Sequence, residues 1–183
     1  MGKGGSDSAS IKEALDKAIA EETNEVKVAD GGYKINVPRH MSLASSLNED
    51  ASLQYSNEAK ELYIIVIDEP KVDFIKEFSA DEIYDDNLTP EKNYRLVQMK
   101  SLVNALTLRA EPGIKKATIN GLDAEIVDFT AGVEGIPADI YYKLAFIEGT
   151  KHVYMVMTWT LDSQKNENND EMDQMIQSFK LTE

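Results

Sequence analysis

Apolar and polar residues alternate along several stretches of this chain, and turn-forming residues separate one stretch from the next. Because alternation with a period of two is typical of a strand with one buried face, these stretches predict β-hairpins. Residues 62–67 differ in being almost wholly apolar, which predicts a strand in the middle of a sheet with both faces buried. The predicted hairpin turns lie at residues 30–32, 120–121 and 148–151.

Helical spacing of apolar residues predicts two helices that pack on the sheet. The first begins at Thr89, because a capping hydroxyl followed by proline is a strong start signal. The second begins at Asn169 or Asp170, either of which can cap its first turn. The residues expected to face the core are Leu96, Met99, Val103 and Leu106 in the first helix and Met172, Met175, Ile176 and Phe179 in the second.

The N-terminal residues predict a tether and a peripheral helix ahead of the main domain. Residues 1–10 are rich in glycine and serine, which predicts a flexible tether. Ser10 and Glu13 form a capping box, and the apolar face that follows is thin and rich in alanine. We therefore expect a helix over residues 11–23 that packs at the periphery. Residues 24–183 then form a single domain, since a chain of 183 residues with 42% hydrophobic content suits one core.

The predicted order of elements is hairpins, helix, hairpins, helix. Short connections of hairpin type join neighbouring strands, and such connections favour antiparallel pairing. We therefore predict an α+β fold in which helices cover a mostly antiparallel sheet.

Composition and charge exclude several classes of function. The 33 acidic residues outnumber the 19 basic residues, and the resulting charge of −14 disfavours binding to nucleic acids and to anionic lipid surfaces. The absence of cysteine excludes disulfides, thiolate zinc sites, iron–sulfur clusters and cysteine nucleophiles. No apolar stretch approaches the roughly 18 residues that a membrane-spanning helix needs.

Three stretches carry a resemblance to a known family. Residues 32–38 follow the pattern glycine, aromatic, any, apolar, any, apolar, proline; residues 120–129 hold a hairpin; and residues 175–181 run from a helix into Ser-Phe-Lys-Leu. Together they resemble the PsbP/DcrB-like fold family, over roughly residues 26–183. The resemblance implies an α/β/α sandwich around an antiparallel sheet. It also implies an extracytoplasmic or lipid-anchored accessory protein that binds other proteins and shares no catalytic site with its relatives.

The N-terminal tether also bears on cellular location. A glycine- and serine-rich spacer ahead of a domain resembles the segment that follows the lipidated cysteine of bacterial lipoproteins. We therefore expect a periplasmic or cell-surface lipoprotein, in which Met1 takes the place of the signal peptide and the cysteine. A cytoplasmic protein with a disordered polar N-terminus is the alternative.

The sequence contains no nucleophile elbow, P-loop or dinucleotide-binding motif. His40 and His152 are its only histidines, and we interpret both as solvated loop residues. Two isolated histidines also argue against a zinc site. We therefore expect a protein that is not an enzyme and that carries no cofactor, with calcium as the one candidate ligand.

The candidate for calcium is the acidic connector over residues 77–87. Calcium prefers several oxygen ligands from a flexible loop, and this connector supplies five within seven residues. Their spacing matches no EF-hand, so a solvated acidic loop is the competing interpretation. The candidate calcium ligands are Asp81, Glu82, Asp85, Asp86 and Asn87.

Residues 131–139 form the candidate for a partner-binding loop. Val133, Glu134 and Ile136 stand there among turn formers, and loops on a rigid sheet often carry binding. The competing interpretation is a wide connection whose apolar residues pack onto the core.

The leading hypothesis for function is a non-enzymatic accessory protein of the bacterial cell envelope. It would bind a protein partner through loops at one end of the sheet, with residues 77–87 and 131–139 as those loops. Two alternatives remain open: a hydrolase or calcium-binding protein that uses acidic residues, and a cytosolic factor that binds a basic protein partner.

Overall fold

The computed structural model describes residues 6–182. Its helices are α1 (Ser6–Glu22), α2 (Lys71–Ala80), α3 (Pro90–Ala105) and α4 (Lys165–Gln177), with single 3₁₀ turns at Glu58–Lys60 and Asp162–Gln164. Its strands are β1 (Thr23–Val28), β2 (Tyr33–Pro38), β3 (Ser42–Leu43), β4 (Leu53–Asn57), β5 (Leu62–Pro70), β6 (Thr107–Leu108), β7 (Gly113–Ile119), β8 (Leu122–Gly132), β9 (Asp139–Glu148), β10 (His152–Leu161) and β11 (Lys180–Leu181).

An antiparallel sheet of eight strands forms the centre of the fold. Its order is β3-β4-β5-β10-β9-β8, and β6 and β7 then pair with different parts of the outer side of β8. Strand β5 lies between β4 and β10, as its apolar sequence predicts. Leu62, Ile64 and Val66 face one side of the sheet, whereas Ile65 and Ile67 face the other.

Each face of this sheet is covered, so the protein has two cores. Helices α2 and α3 cover one face, where Phe74, Tyr94 and Phe146 are buried together. Helix α4 and a small sheet of order β1-β2-β11 cover the other face, where Tyr33 and Phe179 are buried. These layers confirm the predicted α+β fold, in which helices cover an antiparallel sheet.

The glycine turns form the predicted hairpins. Strands β1 and β2 pair antiparallel across residues 29–32, and β7 and β8 pair across Asn120 and Gly121. These two turn residues have φ of 49° and 86°, the left-handed values that a type I′ turn requires at both positions. Asparagine and glycine reach such values at lower cost than other residues, which is why this pair identifies the turn in the sequence.

The starts of two helices differ from the predictions. Helix α1 begins at Ser6, because no glycine or proline interrupts residues 6–9, so the predicted capping box at Ser10 lies inside the helix. Helix α4 begins at Lys165, because the 3₁₀ turn Asp162–Gln164 leads directly into it, so Asn169 and Asp170 do not cap it. The predicted flexible tether is wrong for residues 6–10, which form the start of α1, and residues 1–5 lie outside the described residues.

The acidic connector and the partner-binding loop are both shorter than predicted. Helix α2 was not predicted, and it takes up the first part of the connector, since it ends at Ala80. Strand β8 continues to Gly132 and β9 begins at Asp139, so the loop between them covers residues 133–138.

Candidate protein-binding groove

Helix α3 turns a different side to the sheet from the one that its sequence predicts. The predicted start is confirmed, with Thr89 in the N-cap position, but the Thr89 hydroxyl donates to Glu91 Oε1 at 2.6 Å instead of capping an amide. Among the four predicted core residues only Met99 is buried, whereas Leu96 is 46% and Val103 is 40% exposed. The prediction is therefore wrong for Leu96 and Val103, whereas Leu106 is partly buried and packs against the same core as Met99.

The reason for this rotation is a buried tyrosine. Tyr94 is fully buried and packs edge-on against the rings of Phe74 and Phe146, with centroid distances of 5.2 Å and 6.1 Å. Its hydroxyl donates to Glu69 Oε1 at 3.1 Å, and burial raises the pKa of Tyr94, so the hydroxyl remains a donor at all ordinary pH values.

An ion pair fixes the same rotation one residue further along α3. Arg95 Nε donates to a carboxylate oxygen of Glu125 on β8, and both side chains are largely buried. Glu125 lies on the face of β8 that α3 covers, so the pair ties the flank of the helix to the sheet. With Tyr94 and Arg95 both directed at the sheet, Leu96 and Val103 point sideways, toward β7.

The exposed side of α3 and strand β7 enclose a groove of about 590 Å³, which we name the α3–β7 groove. Met99 lies buried at the α3 side of it, and Ile114 of β7, 50% exposed, stands opposite. Exposed apolar side chains that gather around one groove, and are not scattered singly, are a common feature of binding sites for other proteins. The lining residues are Arg95, Leu96, Met99, Lys100, Val103, Asn104, Glu111, Pro112 and Ile114.

The charge at the groove differs from that of the whole protein. Lys100 on the rim and Lys115 and Lys116 on β7 are exposed, and none of them forms an ion pair within residues 6–182. Glu111 is the acidic residue of the lining. An apolar groove with a basic rim on a chain of charge −14 favours a partner surface that is apolar and acidic.

The predicted partner-binding loop adjoins this groove. Val133, Glu134 and Ile136 line a second cavity of about 430 Å³ at the end of α3, and Asn104 borders both cavities. Ile136 is 48% exposed, whereas Val133 packs partly onto the core beneath α3. The structure therefore brings the three predicted residues together and places them beside a larger surface that the sequence did not indicate.

The five candidate calcium ligands do not converge. Asp81 and Glu82 follow the end of α2, while Asp85 Oδ1 accepts hydrogen bonds from the backbone N and the Nδ2 of Asn87 at 2.9 Å and 2.8 Å. These bonds lower the pKa of Asp85 and engage one of its two carboxylate oxygens. Within residues 6–182 no three carboxylates or histidines come together in a metal-binding arrangement, and Asp86 therefore belongs to no such group. Calcium binding stays a prediction.

The two predicted binding loops lie at opposite ends of the sheet. Asn93, near the start of α3, accepts a hydrogen bond from Asp85 N at 2.9 Å, and that end of α3 lies beside Glu69 and the end of β9. The other loop joins the far ends of β8 and β9, next to the last turn of α3. A single partner-binding surface at one end of the sheet therefore cannot contain both loops.

Each of the two histidines lies close to a carboxylate, Glu171 for His40 and Asp68 for His152. His40 Nδ1 lies 2.9 Å from Asn57 Nδ2, and His40 Nε2 lies 2.7 Å from Glu171 Oε2, so neither ring nitrogen is free to act as a base. His152 begins β10 and is 19% exposed, with Nε2 at 3.9 Å from Asp68 Oδ2, so its interpretation as a solvated loop residue is wrong. Tyr154 lies two residues further along β10, and its hydroxyl donates a hydrogen bond to Gly31 O at 2.8 Å. This bond holds the end of β10 that contains His152.

Comparison with solved structures shows that the chain has a PsbP-like fold, as the sequence predicted. It is similar to cyanobacterial PsbP (CyanoP) from Synechocystis sp. PCC 6803, with a TM-score of 0.58 and 9% identity over 87% of this chain and 92% of that chain. It is also similar to a protein from Bacteroides thetaiotaomicron, with a TM-score of 0.53 and 9% identity over 88% of this chain and 49% of that one. A mutant of Mog1 gives a TM-score of 0.50 and 15% identity over 88% of this chain and 96% of that chain.

These identities show the fold alone, because one fold can carry many unrelated functions. No family model and no curated protein matches the sequence. Among the described residues, no helix has the length and apolar character needed to cross a membrane.

Proposed function

We propose that this PsbP-like domain is a non-enzymatic accessory protein of the bacterial cell envelope that binds a partner protein through the α3–β7 groove. The observation that carries the proposal is the exposure of Leu96, Val103 and Ile114 around one groove, although α3 packs on the sheet and β7 is one of its strands. A partner that covers these side chains removes their apolar surface from water, and this removal supplies binding free energy.

Two further observations support the proposal. The groove adjoins the cavity lined by Val133, Glu134 and Ile136, because Asn104 borders both, so one partner can contact the two surfaces along α3. Both ring nitrogens of His40 already contact other side chains, Asn57 and Glu171, and this argues against a catalytic role for His40. The cell-envelope part of the proposal comes from the family resemblance and from the glycine-rich sequence of residues 2–5, since residues 6–10 of the predicted tether belong to α1.

The experiment compares capture of partners by three forms of the domain. The purified chain, a groove variant (Leu96→Asp with Val103→Asp) and a control variant (Leu43→Asp with Val72→Asp) are immobilised and exposed to envelope and cytosolic extracts. Leu43 and Val72 are each 75% exposed and lie outside the groove, so the control repeats the same substitutions at other exposed positions. Any retained protein is identified, purified and titrated against all three forms.

We expect an envelope protein to bind the native chain and the control alike, and to bind the groove variant at least about 10-fold more weakly, as for loss of an interface hot spot. Equal affinity for the groove variant would reject the groove as the binding site. A partner found only in the cytosolic extract would reject the envelope location and favour the cytosolic alternative. Mass spectrometry of the native product tests the lipid anchor separately.

A further inference from the structure

Strand β7 is an edge strand whose outer side is open. It pairs with β8 along Gly113–Ile119, and within residues 6–182 no strand pairs with its other side. Residues 113–116 are all exposed. In an antiparallel ladder every second residue of an edge strand directs its N–H and C=O groups outward, where they can pair with an added strand.

The two faces of β7 differ in chemistry. Ile114 lines the groove, and Lys116 lies two residues further on the same face. Ala117 and Ile119 lie on the opposite face of β7, where they pack in the core beneath α4. Lys115 lies on that same face, near the start of the strand, and is exposed. A strand added beside β7 would therefore place alternate side chains over the apolar groove and the others beside Lys115.

The chemistry of both positions points to one kind of occupant. Side chains above the groove would meet Leu96, Val103 and Ile114, so they should be apolar. Side chains on the opposite face would meet the exposed Lys115, so these side chains should be acidic. Lys100 and Lys116 on the groove side add to the positive charge that such a segment would meet, and none of the three lysines forms an ion pair within residues 6–182.

We infer that an extended segment of the partner, with apolar and acidic residues in alternation, binds as an added β-strand along β7 with its apolar side chains in the α3–β7 groove. The inference rests on the proposed function and deepens it by naming the chemistry of the partner. The segment should be about as long as β7, which has 7 residues, because Pro112 precedes the strand and lacks the N–H that would extend the pairing.

The test uses the full chain, labelled with ¹⁵N, and a seven-residue peptide in which valine alternates with glutamate. We expect binding to slow hydrogen exchange at alternate amides of β7 by at least about tenfold and to shift the resonances of Leu96 and Val103. The same peptide with alternate backbone nitrogens methylated keeps its side chains but cannot pair as a strand. Equal binding of the methylated peptide would overturn strand addition.

Charge is tested with variants of matched net charge. Lys115→Glu with Lys116→Glu should weaken binding of the glutamate peptide at least about tenfold and should favour a valine–lysine peptide instead. Lys12→Glu with Lys76→Glu changes the charge by the same amount at exposed positions on α1 and α2 and should leave binding unchanged. Raising the salt concentration should weaken binding to the native chain, because exposed ion pairs are screened.

The outcomes separate this inference from the proposed function. If the groove variant loses the partner but the peptide leaves the β7 amides unprotected, the groove is a binding site and strand addition is wrong. If the valine–glutamate and valine–lysine peptides bind equally well, the acidic chemistry of the partner is wrong. Protection of alternate β7 amides by the glutamate peptide alone supports the whole inference.

Discussion

The aromatic cluster that joins the two sheets offers a sharp test of how the fold is stabilised. Phe179 follows α4, is fully buried, and stacks on Tyr33 of β2 with a centroid distance of 5.2 Å and an interplanar angle of 20°. It also meets the ring of Tyr154 on β10 at 4.9 Å. A single side chain thus contacts the small sheet and the central sheet at once, and we choose Phe179→Ala as the perturbation.

The expected loss is large because a cavity and two ring contacts are involved. Replacing a buried phenylalanine by alanine typically costs about 3–5 kcal/mol in free energy of unfolding. Phe179→Leu fills most of the space and loses chiefly the contacts to Tyr33 and Tyr154, each worth about 0.5–1.5 kcal/mol, so it should cost about 1–3 kcal/mol. For a chain of this size each kcal/mol lowers Tm by about 2–4 °C.

Urea unfolding of the three proteins, followed by circular dichroism, measures these differences at one pH and temperature. Equal slopes against urea for all three would show that the substitutions change stability and not the extent of unfolding. A cost below about 1 kcal/mol for Phe179→Ala, well under the ordinary range for such a cavity, would refute the expected cavity penalty. Equal costs for leucine and alanine would also refute it, since the cavity would then contribute nothing.

Three further predictions concern a turn, a buried carboxyl group and calcium. Asn120→Ala removes two hydrogen bonds of 2.8 Å, from Asn120 Nδ2 to the carbonyl oxygens of Gln177 and Phe179, and puts alanine at positive φ. Urea unfolding should show a cost of about 2–4 kcal/mol, against about 1–2 kcal/mol for Asn120→Gly, which keeps the turn. Burial is the main cause that raises the pKa of Glu69. The ionised carboxylate therefore destabilises the folded state when the pH is above the folded-state pKa of Glu69. This destabilisation disappears as the pH falls through the folded-state pKa and the carboxyl group takes up a proton. Glu69→Gln should therefore be more stable than the native chain at pH 7 and similar to it below about pH 4, and an unchanged difference across that range would contradict the assignment. Calcium at about 1 mM should leave Tm unchanged, and a rise that a chelator reverses would establish a metal site.

The hairpins and the central strand could be predicted because their signals are local. The two left-handed residues of the type I′ turn are Asn120 and Gly121, and the two-sided burial of β5 follows from an apolar run. Helix α2 had a signal as well, in the helical spacing of Phe74, Ile75 and Phe78 after Pro70, but the acidic residues around it favoured a connector.

The groove could not be predicted, because periodicity identifies an apolar stripe without showing what covers it. Helix α3 carries more than one side that could be buried, and contacts distant in sequence decide between them. Tyr94 reaches Glu69 and Arg95 reaches Glu125, and these pairings leave Leu96 exposed. The apolar spacing that predicts a core face is therefore the same pattern that a protein-binding face would show.

The lysines on β7 also bear on the solubility of the protein. An open edge strand is a template for stacking identical chains into aggregates. Two β7 edges paired antiparallel over the whole of Gly113–Ile119 would set Lys116 of one molecule directly opposite Lys116 of the other, and like charges directly opposite one another are destabilising. The lysines thus disfavour the pairing of β7 with a second copy of itself, whereas the inferred acidic strand would meet no such repulsion.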